Sequence, residues 1–242
     1  MPESPMRVNE FGQPIGEPLS YSGAKAPQPV TLTGRSCRLE PLTRDHAGCL
    51  LTDLQAGAGD EQWTYMPFGP FERVDGPGGY ADGIGALIDA PDVLPFAIVT
   101  DAQAGGYHGR VVGTASYLRI APAGGTIEVG WIMYGAGARR ATPATETMYL
   151  LARHVFDDLG FRRYEWKCDA LNEPSRRAAA RLGFAYEGTW RNAAFYKNRN
   201  RDTAWFAMTD ADWTRLRPGY EAWLAQADEP ECRSLREFLD VS

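Results

Sequence analysis

The chain has 242 residues, a length that fits one domain with extensions better than two separate domains. Its 44% hydrophobic and 23% charged residues allow a sizeable core and exclude overall disorder. The net charge of −6 argues against nucleic acid and anionic membranes as partners, and no run approaches the ~18 apolar residues of a membrane span.

The N-terminus and the cysteines bear on the cell compartment. Residues 1–7 lack the apolar core of a signal peptide. None of the four cysteines belongs to a C-x-x-C pair, so we expect reduced, buried thiols in a cytoplasmic protein. The three histidines are distant from the cysteines in sequence, and we expect no metal site. The cysteines are Cys37, Cys49, Cys168 and Cys232.

Residues 1–29 contain six prolines and three glycines, which predicts an extended arm without regular structure. Apolar residues such as Phe11 are spaced along this arm, so we expect it to lie on the domain. We place the domain itself at residues 30–209 and a helical tail at residues 210–242.

The first part of the domain alternates between strand and helix patterns. Residues 37–42 alternate as a strand does, and a helix over residues 45–55 follows, capped near Thr43. Residues 63–71 are aromatic and broken by prolines, which predicts a loop with exposed rings. A weak helix is predicted over residues 79–89.

The middle of the chain predicts an antiparallel meander followed by a long helix. A loop over residues 101–109 separates the first two strands of the meander. Apolar residues then recur at three- and four-residue steps over residues 143–159, which predicts a helix that ends at Gly160. The three strands are residues 94–100, 110–120 and 126–134.

A strand over residues 163–169 leads into a short helix with clear start and stop signals. Asn172 caps the first turn and Pro174 suits an early helical position. Gly183 supplies a left-handed stop, and Phe184 makes the apolar contact after it.

Two more strands and the tail complete the chain. The strands cover residues 185–197 and 202–209, and an amphipathic pattern then begins at Trp213. We expect the tail helices to pack back on the domain; a dimer contact is the alternative, so the chain is a monomer or a homodimer. The order of elements predicts an α+β fold with a mostly antiparallel sheet and one parallel crossover.

The run from Asn172 to Phe184, with Ser175 three residues after the asparagine, resembles the fourth helix of the GNAT N-acetyltransferases, in particular the RimJ/RimL-like branch. The resemblance implies the GNAT fold over the domain. It also implies transfer of an acetyl group from acetyl-CoA to an amine by direct attack. In the family, Asn172 and Ser175 would face the pantetheine and sulfur end of acetyl-CoA.

The same resemblance implies a pyrophosphate loop before the long helix. Family members carry Gln or Arg, then two residues, Gly, one residue and Gly or Ala. In this chain Arg139 and Ala144 fit the pattern, Thr142 stands where Gly is usual, and Thr142 is also a good N-cap for the helix. The implied contacts of this loop with acetyl-CoA are Arg139, Arg140, Ala141, Thr142 and Ala144.

Residues 126–133 resemble the family strand that pairs with pantetheine through its backbone. The implied contacts are Trp131, Ile132 and Met133. Alternation places Glu128, Gly130 and Ile132 on one face and Trp131 and Met133 on the other. A carboxylate in an apolar strand is costly unless it is paired or used. In related enzymes a Glu at the start of this strand deprotonates the amine, often through water, so the resemblance implies Glu128 as the general base. The alternative is an edge carboxylate bonded to a neighbouring strand or the ion-pair partner of an arginine.

The proton for the departing thiolate must come from another group. Many family members use a tyrosine seven residues after the asparagine, where this chain has Ala179. In the RimJ/RimL-like branch the serine three residues after the asparagine takes this place, so the resemblance implies Ser175 as the acid; the alternative is a first-turn serine bonded to the helix backbone. The aromatic side chains predicted to build the acceptor pocket are Trp63, Tyr65, Phe68, Trp190 and Tyr196.

The acceptor is an amine, and the branch implies the N-terminal Ala or Ser of a ribosomal protein. A small-molecule amine, such as an aminoglycoside, polyamine or amino-acid analogue, is the alternative acceptor. A module that binds CoA without catalysis is a third possibility, suggested by Thr142 and Ala179.

Overall fold

The computed structural model describes residues 7–100, 109–227, 229 and 232–239. The predicted loop over residues 101–109 lies outside the described residues except for Gly109. Within the described part of the chain no helix is long and apolar enough to cross a membrane. The strands are β1 (Leu32–Thr33), β2 (Cys37–Pro41), β3 (Val93–Thr100), β4 (Val111–Ala121), β5 (Thr126–Tyr134), β6 (Arg163–Asp169), β7 (Ala185–Tyr196) and β8 (Arg199–Thr209). The helices are α1 (Ala47–Ala58), α2 (Tyr80–Ile88), α3 (Thr142–Arg153), α4 (Glu173–Arg181), α5 (Asp210–Gln226) and α6 (Leu235–Leu239).

The eight strands form one sheet in the order β1-β2-β3-β4-β5-β6-β8-β7. Every neighbouring pair is antiparallel except β5 and β6, which are parallel and joined through α3. This topology confirms the predicted α+β fold with a mostly antiparallel sheet and one parallel crossover. The predicted strands are all present, with bounds that differ by up to three residues.

The sheet is covered by helices on both faces. In β3, Phe96 and Ile98 point into a large core formed with α3, α5 and α6, whereas Ala97 points into a smaller core formed with α1 and α2. Side chains alternate along a strand, so one strand serves both cores. Both cores continue under β4 and β5 and fix those strands in place.

Strands β5 and β6 pair over only four residues and then separate. The pairing ends at Val129 opposite Trp166, and beyond it β5 remains bonded only to β4. At the same point Trp131 has a φ of 49°, a left-handed conformation that bulges the strand. The separation leaves a V-shaped gap between the two strands.

The bulge at Trp131 makes the predicted alternation wrong beyond Gly130. Gly130 pairs with Ser116 and Met133 with Thr114, so Gly130 and Met133 share a face although they are three residues apart. Trp131 packs with the smaller core and Ile132 with the larger one, the reverse of the simple pattern. A single extra residue in a strand flips every side chain that follows it.

Helix α4 begins and ends as predicted. The side chain of Asn172 accepts a hydrogen bond from the Ser175 amide, and Pro174 lies in the first turn. Gly183 has a φ of 85°, and the amide of Phe184 bonds the carbonyl of Ala179, which is the Schellman arrangement. The buried Phe184 ring then packs on Trp166.

Helix α3 differs from its prediction at its start, whereas the helical stretch ends before Gly160 as predicted. Ala141 is the N-cap and makes no side-chain cap bond, so the predicted cap at Thr142 is wrong by one residue. Residues 154–158 continue the helix as a π-helical turn up to Leu159, and Gly160 follows with a φ of 77°. The helix therefore starts within the loop predicted to hold pyrophosphate.

The described part of the tail packs on the domain, but of the arm only residues 21–25 do so: Phe11 is 77% exposed, which contradicts the expectation that the arm's apolar residues rest on the domain. The arm is fixed at Ala24 and Lys25, whose amides bond the carbonyls of Pro122 and Leu159. The tail helices α5 and α6 bury apolar side chains in the larger core, in agreement with the expectation that they pack back on the domain. The described cysteines are free thiols, but Cys49 is exposed, which contradicts the expectation that all four are buried.

Candidate active site

A cleft of about 710 Å³ opens where β5 and β6 separate. It extends from the end of β5 to the β7–β8 hairpin. Predicted site residues that line it are Glu128, Trp131, Ile132, Met133, Arg139, Asn172, Ser175, Tyr65 and Trp190. Predicted site residues outside its lining are Arg140, Ala141, Thr142, Ala144, Trp63, Phe68 and Tyr196.

Glu128 lies in the cleft with its carboxylate ion-paired to two cations. Its side chain is 5% exposed. The Arg119 Nε lies 2.6 Å from Oε2 and its Nη2 also bonds this oxygen, while the Lys167 Nζ lies 2.9 Å from it. The arginine partner that the sequence analysis offered as an alternative is therefore present, with a lysine beside it.

All three of these contacts fall on one carboxylate oxygen. No donor among the described residues bonds Oε1 of Glu128, which lies beside Gly130 in the cleft. The cations compensate the charge of a buried carboxylate that would otherwise be costly. The other oxygen is left to accept a proton or a hydrogen bond from a molecule in the cleft.

Lys167 is held by more than Glu128. Its side chain is 4% exposed, and Nζ lies 2.8 Å from Oε2 of Glu165 and 3.5 Å from the centre of the Trp205 ring. A desolvated ammonium over an aromatic face gains a favourable cation–π interaction. The fixed lysine in turn fixes the carboxylate of Glu128.

The ionic row continues along the same face of the sheet. Arg163 bonds both Glu165 and Glu187, at 2.8 and 2.5 Å. Burial alone would raise the pKa of Glu165, but the hydrogen bonds from Arg163 and Lys167 hold it below its usual value. Hydrogen bonding to Arg163 likewise lowers the pKa of Glu187. These carboxylates are therefore ionised at neutral pH.

Ser175 lies on the opposite side of β6, at the first turn of α4. Its hydroxyl accepts a hydrogen bond from the indole Nε1 of Trp166 at 3.0 Å. Trp166 is 5% exposed, so this bond satisfies a buried donor. The same hydroxyl also forms a side-chain hydrogen bond with the Cys168 thiol. Its neighbour Cys168 also lines the cleft, and burial raises the pKa of that thiol, so it stays protonated at neutral pH.

The loop before α3 is held by a buried carboxylate that the sequence analysis did not identify. Asp53 of α1 is 1% exposed, and its Oδ2 accepts a hydrogen bond from the Gly137 amide at 3.2 Å. A side chain at Gly135 would collide with the same oxygen, at 2.1 Å from its Cβ position. Asp53 and Gly135 together fix how the loop enters α3.

Few amides of this loop are left for a ligand. Those of residues 136–139, 141 and 144 bond oxygen atoms of Asp53 or of the loop itself. Within the described residues, the amides of Arg140 and Thr142 make no such bond. Arg140 lies just before α3 and Thr142 is its first residue, and at this end the helix dipole favours an anion. The Arg139 side chain donates to the Gly57 carbonyl at 3.1 Å and still lines the cleft.

The five predicted pocket aromatics occupy three different environments. Tyr65 and Trp190 line the cleft. Trp63 is 1% exposed in the smaller core, so the prediction that the rings of residues 63–71 are exposed is wrong for Trp63. The Phe68 ring packs against it, with the two ring centres 6.1 Å apart. Tyr196 donates to Asp169 at 2.8 Å behind the cleft wall. Trp63 and Phe68 therefore support the wall from behind.

The β7–β8 hairpin closes over the cleft. At its tip, Lys197 donates to the Trp63 carbonyl at 2.7 Å and Arg199 to the Thr64 carbonyl at 2.6 Å. On the adjoining side, Tyr65 donates to the Leu171 carbonyl at 3.1 Å. These three bonds join the loop after α1 to the hairpin tip and to the carbonyl of Leu171, on the far side of the cleft.

Sequence reasoning missed four residues of this site: Asp53, Arg119, Lys167 and Trp205. Lys167 follows Arg163 and Glu165 at every second position of its strand, and that alternation was a usable signal that these charges share one face. Arg119 has a φ of 44°, which no sequence pattern reveals. Asp53 and Trp205 meet their partners only through tertiary contacts.

Residues 37–185 match a family model described as an acetyltransferase (GNAT) domain. A GCN5-related N-acetyltransferase from Brucella melitensis is 36% identical, with 91% of this chain and 98% of that chain covered at a TM-score of 0.84. A probable GNAT acetyltransferase from Chromobacterium violaceum is 33% identical. The match covers 84% of this chain and 99% of that chain, at a TM-score of 0.74.

The RimL acetyltransferase of ribosomal L7/L12 shares the fold alone, at 15% identity and a TM-score of 0.60, with 74% of this chain and 94% of that chain covered. Among curated proteins no sequence match was found. Enzymes of the matched family use acetyl-CoA as the donor. The extent of the family match and the identity to the two solved relatives agree with the fold and the cleft: the chain belongs to the GNAT family and is an N-acetyltransferase.

Proposed function

We propose that this enzyme transfers an acetyl group from acetyl-CoA to the N-terminal amine of a polypeptide, with Ala or Ser as the first residue. The observation that carries the proposal is Glu128, buried in the cleft with both cations on one oxygen and the other oxygen unbonded. A carboxylate with one oxygen that no described residue bonds suits a general base for an amine.

The residues on the donor side fit acetyl-CoA. Beyond Val129 the edge of β5 that faces β6 has lost its strand partner, and it can pair with the amides of the pantetheine chain as an added strand does. The unbonded amides of Arg140 and Thr142, with the side chain of Arg139, suit the pyrophosphate. Acetyl-CoA supplies the acetyl group as a thioester.

Each remaining requirement of the reaction has a candidate residue. Glu128 accepts the proton of the amine at Oε1, directly or through water. A backbone amide near Trp131 or Ile132 polarises the thioester carbonyl, and the Ser175 hydroxyl donates to the sulfur. The Oδ1 atom of Asn172 caps α4 by accepting from the Ser175 amide, and its Nδ2 is left to donate to acetyl-CoA in the cleft.

A polypeptide acceptor is supported by the shape of the open end of the cleft. Trp190 lines it and is 60% exposed, and Phe195 on the same edge strand is 76% exposed. A small amine would be enclosed by a closed pocket, whereas an exposed aromatic rim suits a ligand that continues outside the cleft.

The test measures release of free thiol from acetyl-CoA with a panel of acceptors. Peptides that begin with Ala or Ser are compared with the same peptides blocked at the N-terminus, and with polyamines, aminoglycosides and free amino acids. We expect turnover with unblocked peptides and an added acetyl group on the first residue by mass spectrometry. Turnover with small amines alone would contradict the polypeptide acceptor and leave the acetyltransferase activity intact.

A further inference from the structure

The tip of the β7–β8 hairpin is strongly basic in a chain that is acidic overall. Residues 191–202 contain four cations and one carboxylate, a net charge of +3, whereas the whole chain carries −6. The carboxylate, Asp202, bonds the Asn192 amide and the side chain of Asn200. The cations are Arg191, Lys197, Arg199 and Arg201.

This positive charge has no internal counterpart. Within the described residues, none of the four cations has a carboxylate oxygen within 4.0 Å. Lys197 and Arg199 donate to carbonyls, and Arg201 donates to the Thr203 hydroxyl at 3.1 Å. Burial and the neighbouring Arg199 lower the pKa of Lys197, as expected for a cation placed among cations.

The basic tip adjoins the cleft wall at Trp190, which is 60% exposed. Arg201 lines the cleft together with Trp190 and Ala194 of the facing strand. Arg201 is four residues along β8 from Trp205, whose ring covers the lysine bound to Glu128. At about 3.3 Å per residue, those four residues span about 13 Å. An extended peptide whose amine reaches Glu128 would pass the tip about four residues later.

We propose that the β7–β8 hairpin tip binds an acidic segment of the acceptor polypeptide, a few residues after its N-terminal amine. The inference rests on the proposed function and narrows its acceptor class to acidic N-terminal sequences. The exposed cations at the tip repel polyamines and aminoglycosides, which are themselves cationic, and attract carboxylates. The net charge of −6 over the whole chain favours a short acidic segment over a long polyanion such as RNA.

The experiment compares three peptides of one length with the same first three residues. Positions 4–8 carry Asp and Glu in one, Gln and Asn in the second, and Lys and Arg in the third. We expect kcat/KM at low salt to be at least tenfold higher for the acidic than for the neutral peptide, and lowest for the basic one. The preference should shrink as salt is added, because exposed charges are screened.

A matched pair of variants assigns the preference to the tip. Arg191 is exposed and makes no hydrogen bond within the described residues, but its charge attracts the Asp202 carboxylate, and Arg191→Glu reverses that charge. Arg215→Glu makes the same change on α5, which contributes no residue to the cleft; Arg215 likewise attracts one carboxylate, that of Asp212 at 3.4 Å. We expect Arg191→Glu to lower the acidic-to-neutral ratio of kcat/KM at least fivefold and Arg215→Glu to leave it unchanged.

Three results would overturn the inference. Equal kcat/KM for the acidic and neutral peptides, with both acetylated, would remove the tip from recognition while leaving the proposed function intact. Equal loss in both variants would show a general effect of net charge. Inhibition by poly(U) RNA at concentrations where an N-acetylated acidic peptide does not inhibit would assign the surface to nucleic acid. Thiol release with small amines and with none of the peptides would instead contradict the proposed function itself.

Discussion

The Lys167 ammonium lies between two carboxylates, 2.9 Å from Glu128 and 2.8 Å from Glu165. The two carboxylates belong to neighbouring parallel strands and stand opposite each other in the register of β5 and β6. Only Glu128 lines the cleft. Lys167 thus neutralises Glu128, a candidate catalytic residue, and Glu165, which does not line the cleft. A substitution of Glu165 therefore serves as a control for the same substitution of Glu128.

Glu128→Gln should lower kcat by about 10²–10⁴-fold, because an amide cannot accept the proton of the amine. Glu165→Gln removes the other carboxylate bound to Lys167 and should leave kcat within a few-fold of the wild-type value. Steady-state thiol release measures both variants, and calorimetry should give an unchanged affinity for acetyl-CoA. Full activity of Glu128→Gln at neutral pH would assign the base to another group.

Ser175→Ala should lower kcat and also destabilise the fold. The loss of rate follows if the hydroxyl donates to the departing thiolate. The loss of stability, about 1–3 kcal/mol, follows because the buried indole N–H of Trp166 loses its acceptor.

The double variant Trp166→Phe with Ser175→Ala separates the two effects. It removes the indole donor together with its acceptor, so part of the stability should return while kcat stays low. Urea denaturation and initial rates are measured on both variants. Recovery of kcat in the double variant would show that Ser175 acts through stability alone.

Arg139→Glu should weaken acetyl-CoA binding by about 1.5–3 kcal/mol if its guanidinium contacts the pyrophosphate. Arg139 also donates to Gly57, so the variant could act by loosening the loop. Arg139→Gln serves as the control, since a side-chain amide can still donate to that carbonyl without the charge. Calorimetry should give intermediate affinity for Arg139→Gln; equal affinity for wild type and Arg139→Glu would remove Arg139 from the binding site.

Arg163→Gln should destabilise the protein at neutral pH and much less in acid. The pKa values of Glu165 and Glu187 lie below their usual value of 4.5 in the folded protein. Their stabilising effect is therefore present above about pH 4.5 and is lost as the pH falls through the folded values. Urea unfolding from pH 7 to pH 3 measures the difference between wild type and variant, which should shrink toward acid. A difference that is constant with pH would contradict this origin.

Local sequence signals predicted the elements and the family because they act over a few residues. The caps of α4 follow from Asn172, Pro174 and Gly183, each of which satisfies a backbone requirement of its own helix end. The alternation in β5 located Glu128 as a charge in an apolar strand. For the same reason it identified an arginine partner as one alternative, although not which arginine.

The chemistry of the cleft was decided by contacts between distant residues. Arg119 and Lys167 reach Glu128 from two other strands, and Asp53 holds a loop 84 residues away. The bulge at Trp131 reversed the predicted faces of β5 beyond Gly130, at the point where β5 leaves β6 and stays paired with β4. The sequence by itself determined where helices and strands begin, since caps and periodicity are local. Only the tertiary structure decided which carboxylate oxygen is free, because that depends on where two strands place their cations.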